Sequence, residues 1–135
     1  MVARSDDEAP RHAVRVLIVE DDALIGMLYE DVLVEMGHRV CAIEMTESGA
    51  ISAAALFKPD LMIVDGALRK GSGLVAVREI LRDGFIPHVF VSGDVSAIQR
   101  QIPDAIVVQK PFLDHDLARA IQRALATATA FESPG

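Results

Sequence analysis

Val14-Arg15-Val16-Leu17-Ile18-Val19, followed at once by Glu20-Asp21-Asp22, decides the fold of this chain. A short run rich in β-branched residues and closed by three carboxylates reads as a buried parallel strand whose C-terminal end carries charge. Three further runs share the design. Leu61-Met62-Ile63-Val64 ends at Asp65, Pro87-His88-Val89-Phe90-Val91 ends at Ser92, and Ala105-Ile106-Val107-Val108 leads to Lys110-Pro111. Parallel strands aim their carboxyl ends at one rim, so these polar residues converge there. Carboxylates with a hydroxyl and an ammonium beside them suit a divalent cation and a phosphoryl group.

Between the strands lie helical patterns, and the alternation predicts an α/β fold, a doubly wound five-stranded parallel sheet covered on both faces. The first helix is expected over Ala23 to Met36, with Ile25, Leu28, Val32 and Met36 on its inner face, Asp22 capping its start and Gly37 stopping it. Val40 to Ile43 is the second strand. Thr46 caps a helix over Glu47 to Phe57, which Lys58-Pro59-Asp60 breaks before the strand ending at Val64. A third helix spans about Gly73 to Arg82 and buries Leu74, Val77, Ile80 and Leu81. Only Asp94 to Pro103 separates the fourth strand from the fifth, so the fourth helix is expected to be short or irregular. The last helix is expected over Leu113 to Ala130. Residues 1–12, polar and acidic with Pro10, read as a flexible N-terminal arm ahead of one domain over residues 13–131.

The composition narrows the function. With 135 residues, 51% of them hydrophobic, the chain can bury a substantial single core. A net charge of −7 disfavours a nucleic-acid partner, which demands a clustered basic surface. Cys41 is the only cysteine and sits in an apolar stretch, so it reads as a small buried hydrophobe and no disulfide is available. Apolar runs are too short to span a bilayer, and the N-terminus lacks a signal peptide's apolar segment. A cytoplasmic protein without a membrane partner is expected.

Glu20, Asp21 and Asp65 crowded together repel, so without a cation at least one should have a raised pKa. All are hard oxygen donors, and no His or Cys spacing suits zinc; magnesium is the natural ion. Asp65 at the end of a buried strand is placed to act as a nucleophile on phosphorus. Lys110 and the metal would neutralise the phosphoryl oxygens, and Ser92 would donate a hydrogen bond.

In combination and order, Val16-Leu17-Ile18-Val19-Glu20-Asp21-Asp22, the lone Asp65 after Pro59-Asp60-Leu61-Met62-Ile63-Val64, Ser92-Gly93, and Lys110-Pro111-Phe112 resemble the receiver domains of two-component response regulators. The resemblance implies a flavodoxin-like (βα)5 fold with strand order 2-1-3-4-5. It implies that Asp65 accepts phosphate from a histidine kinase or phosphotransfer protein. Glu20 and Asp21 would bind magnesium, Asp21 directly, with Asp65 and the Ala67 backbone carbonyl; Ser92 would sense the phosphoryl group and Lys110 would pair with it. Such a chain is no enzyme beyond catalysing its own phosphorylation and dephosphorylation. The loop Gly66-Ala67-Leu68-Arg69-Lys70-Gly71-Ser72-Gly73 departs from the usual one after the acceptor, and Val107 stands where an aromatic switch residue is common. Phe90-Val91-Ser92-Gly93-Asp94 instead resembles the Phe-Ala-Thr-Gly motif of an atypical, often single-domain receiver subclass. A stand-alone receiver is expected, signalling to a protein target through the face of the fourth helix, fifth strand and fifth helix, or serving as a phosphate shuttle or sink.

Blander readings exist for each residue. Pro111 is an ordinary first residue of a helix, and a lone lysine is more often a solvated charge. Gly71-Ser72-Gly73-Leu74-Val75-Ala76 matches the G-x-G-x-x-A of a dinucleotide-binding turn, but six residues separate it from Val64, where that turn needs to follow the strand immediately. A phosphorylation-independent binding module is the other distant alternative. His12, His38, His88 and His115 are scattered and receive no role.

Overall fold

The computed structural model describes residues 13–132, and the arm expected over residues 1–12 lies outside the described residues. Five strands, β1 (Arg15–Val19), β2 (Arg39–Glu44), β3 (Leu61–Asp65), β4 (His88–Ser92) and β5 (Val107–Gln109), alternate with five helices. These are α1 (Ala23–Glu35), α2 (Glu47–Phe57), α3 (Gly73–Leu81), α4 (Val95–Gln101) and α5 (Asp114–Glu132). The strands form one parallel sheet in the order β2-β1-β3-β4-β5. From β1 the chain winds outward to β2, then crosses back to β3 and winds the other way. The reversal leaves a crevice at the carboxyl ends of β1 and β3.

Alternate strand residues feed two cores. Val16, Ile18, Ile63, Val89 and Val91 face α1 and α5 and meet Leu33, Leu117 and Ile121. Leu17, Val19, Met62, Val64 and Phe90 face α2 and α3 and meet Ala50, Ala53, Leu74 and Val77. Burial on both faces explains why these strands are continuously apolar rather than alternating. Each such side chain stabilises the fold by about 1.5–3 kcal/mol, and truncating one leaves a cavity that adds to the loss.

The helix starts follow local chemistry. Asp22 Oδ1 accepts from the Leu24 and Ile25 amides, Thr46 Oγ1 from Gly49, Ser72 Oγ from Val75 and Asp94 Oδ1 from Ala97. The short fourth helix is a seven-residue α4 with a single buried side chain, Ile98. Four expectations change. Asp65 is the last residue of β3, paired with Val91, instead of the first residue beyond it. Pro111 does not start α5: the Lys110-Pro111 peptide is cis, and the helix begins at Asp114, where Asp116 Oδ2 accepts from the Leu113 amide. On α1 the inner face includes Tyr29 and Leu33, while Leu28 is 60% exposed. Positions 28 and 29 both satisfy the helical period, and docking against Ile18 and Ile63 selects the second. Cys41 is only half-buried; its Sγ lies 3.4 Å from the Val16 carbonyl, and burial pushes its pKa up, which keeps it a thiol. No helix among the described residues is long and apolar enough to cross a membrane.

Candidate functional site

Register assembles the acids. Val19 pairs with Val64, so the next residues, Glu20 and Asp65, emerge side by side above the crevice. Carboxylate oxygens of Glu20, Asp21 and Asp65 lie within 4.8 Å of one another. Glu20 and Asp65 are buried, whereas Asp21 is half-buried at the mouth. Each acid is held by donors. Glu20 Oε2 accepts from the Asp22 amide at 3.0 Å and Oε1 from the Tyr29 hydroxyl at 3.3 Å. Asp65 Oδ1 accepts from the Ala67 amide at 3.0 Å, and Oδ2 from Lys110 Nζ at 3.0 Å. Asp21 Oδ2 accepts from the Arg69 amide at 2.7 Å, with Arg69 Nε 3.7 Å away.

Crowding and burial leave an electrostatic signature. Burial, then the charge of Asp65, pushes the Glu20 carboxyl up to about 7, against the opposing pull of the Asp22 amide and Lys110. The charged form of this acid therefore wants a cation. Burial also raises the Tyr29 phenol, with the neighbouring charges of Glu20 and Asp65 adding to it, so the hydroxyl stays a donor.

The loop after Asp65 is clamped from two sides. The Glu47 amide donates to the Lys70 carbonyl at 3.2 Å and Glu47 Oε1 accepts from the Ser72 amide at 2.9 Å, while Ala67 and Ser72 form an antiparallel bridge. Gly71 turns with φ of 97°, a region that favours glycine. At Gly73 a Cβ would fall on the Asp65 carbonyl oxygen, so α3 packs directly on the backbone of the buried acid. Both glycines of the G-x-G-x-x-A match thus answer a backbone demand of this loop.

Lys110 and the acids come together; Ser92 joins them only through its backbone. Its carbonyl accepts from the Lys110 amide at 2.8 Å, but its hydroxyl is engaged with the Asp94 backbone, accepting from the amide at 2.9 Å and donating to the carbonyl at 3.3 Å. Val107 opens β5 opposite Phe90. Tyr29 and Arg69 escaped the sequence reading. A tyrosine on the inner face of the helix after the acids was the available signal for the first; the second had none, since Arg69 reaches Asp21 across 48 residues.

No protein-family model matches the sequence. The chain is 30% identical over 120 residues to the chemotaxis protein CheY of Bacillus subtilis, an alignment covering 84% of this chain and 98% of CheY. The chain belongs to the response regulators, as a receiver domain. This receiver is also 33% identical over 129 residues to the phyllosphere-induced regulator PhyR of Methylorubrum extorquens, covering 88% of the receiver and 48% of PhyR. It spans about half the length of that relative. The crystal structure of the response regulator PhyR from Brucella abortus superposes with a TM-score of 0.84 at 30% identity, covering 98% of the receiver and 56% of that chain. Receiver membership accounts for the doubly wound sheet and for the acidic crevice at its switch point.

Proposed function

We propose that this receiver accepts a phosphoryl group on Asp65 from the phosphohistidine of a sensor kinase or phosphotransfer protein and signals through protein contacts. The observation that carries the reading is the 3.0 Å bond from Lys110 Nζ to Asp65 Oδ2, inside a cluster of three carboxylates. The donors fit a magnesium ion. They are hard oxygens drawn from Glu20, Asp21 and Asp65, to which the receiver resemblance adds the Ala67 backbone carbonyl, and Glu20 is an acid whose charge burial opposes. When bound, the ion would neutralise oxygens of the transferring group.

In the transfer, an Asp65 carboxylate oxygen attacks phosphorus, the bond from phosphorus to the donor's histidine nitrogen breaks, and the freed imidazole takes up a proton. Lys110 stays as counter-charge to the phosphoryl oxygens. The Ser92 hydroxyl would exchange its Asp94 bonds for one to the phosphoryl group and so draw on the start of α4. The face of α4, β5 and α5 is the proposed output surface, and Phe90 to Asp94 with the short α4 support the Phe-Ala-Thr-Gly-like subclass. A phosphate shuttle or sink is favoured instead by Val107 and by the Ser92 hydroxyl being turned to Asp94.

Incubation with a small phosphodonor and Mg²⁺, followed by intact-mass measurement, tests the acceptor. The wild type should gain one phosphoryl group and Asp65→Asn none. A phosphate persisting on the variant would move the nucleophile elsewhere.

A further inference from the structure

Tyr29 is the only tyrosine in a chain without tryptophan, and α1 buries it to 1% exposure between the acid cluster and α5. Its hydroxyl donates to Glu20 Oε1 at 3.3 Å, while the Asp22 amide holds Oε2 at 3.0 Å. One donor on each oxygen fixes the carboxylate plane; with Oε1 released, the group is free to rotate about its last bond. The ring centroid lies 6.1 Å from that of Phe112, two residues beyond Lys110. One side chain therefore touches Glu20 directly and reaches the Lys110 segment through Phe112. Its ring also lines an apolar cavity of about 530 Å³ between α1 and α5, with Ile25, Leu28, Pro111, Phe112 and Leu117. A leucine would fill this inner-face position without needing a buried acceptor.

We propose that Tyr29 is a positioning residue of the acidic site, which aims the Glu20 carboxylate into the crevice and ties its state to the apolar groove between α1 and α5. The inference rests on the receiver reading, in which Glu20 serves a magnesium ion. Loading of the crevice pulls on Glu20 Oε1, and the pull reaches the groove through the phenol.

The test uses the full chain and Mg²⁺ alone. Tyr29→Phe keeps the ring and its contact with Phe112 and removes one oxygen, and circular dichroism verifies that it folds. Calorimetry should show magnesium binding weakened by about 3- to 10-fold, the usual net worth of one hydrogen bond. In a Glu20→Gln background the same change should add little, because the two residues act as one unit. Wild-type tyrosine emission should change along the titration with the calorimetric midpoint. Unchanged affinity in Tyr29→Phe, a penalty that persists in full beside Glu20→Gln, or emission indifferent to Mg²⁺ overturns the role of Tyr29 and leaves the receiver reading intact. A wild type that neither binds Mg²⁺ nor takes a phosphoryl group removes the phosphoacceptor function proposed for this receiver, and this inference with it.

Discussion

Glu20→Gln should abolish a specific part of the pH dependence of stability. In the metal-free fold the Glu20 carboxyl sits at about 7 against an ordinary 4.5, chiefly because burial opposes its charge. Below about pH 4.5 the group is protonated folded and unfolded alike, and its contribution to stability is fully present. As pH rises, the unfolded chain releases this proton into water first, while the folded protein holds it, so stability falls until the folded carboxyl also ionises near pH 7. The displacement is worth about 3 kcal/mol. Glutamine has the same shape and no charge at any pH, so the variant lacks this fall. The difference in unfolding free energy, variant minus wild type, should climb by about 3 kcal/mol between roughly pH 4.5 and pH 8. Any fixed cost of seating an amide against the Asp22 amide and the Tyr29 hydroxyl displaces the whole curve and leaves its slope untouched. Urea denaturation followed by far-ultraviolet circular dichroism, with a chelator present at each pH, measures the difference. Parallel curves for the two proteins would refute the argument, because they would mean that burial does not oppose ionisation of Glu20.

Gly73→Ala places a Cβ on the Asp65 carbonyl oxygen and against Val64 Cγ1; with backbone on one side and a core strand on the other, the unfolding free energy should drop by about 3 kcal/mol or more. A loss under about 1 kcal/mol in the same denaturation assay would show that α3 can back away from β3. A phosphoryl mimic bound at Asp65 should raise amide hydrogen-exchange protection between Ser92 and Phe112, because α4 is short, capped by Asp94 and buries only Ile98. Protection confined to the neighbourhood of Asp65 would favour the phosphate sink over a conformational output.

Most of the fold could be read from local pattern. Strands buried on both faces must be continuously apolar, so β1, β3 and β4 declared themselves as runs, and the alternation implied a parallel sheet, while the order in which the strands pair came from the resemblance to receiver domains. The caps at Asp22 and Thr46 and the brevity of α4 were also local, since each depends on a few neighbouring residues. Because strand direction is common to the sheet, the sequence by itself also determined that the ends of β1, β3, β4 and β5 share a rim.

What happens on that rim is a matter of contact between distant segments, and only the tertiary structure decided it. Helical period could not choose between Leu28 and Tyr29, because both lie within the arc that faces the sheet; packing against β1 and β3 buried the tyrosine and brought its hydroxyl to Glu20. The spacing from Val64 already argued against a dinucleotide-binding turn at Gly71 and Gly73, but only the approach of α3 to the Asp65 backbone explained why Gly73 lacks a side chain. The Arg69 bond to Asp21 and the orientation of the Ser92 hydroxyl toward Asp94 left no periodic trace. Residue type and spacing report which face of an element is apolar, whereas hydrogen-bond partners and close approaches are set by register and packing between elements that the chain brings together from afar.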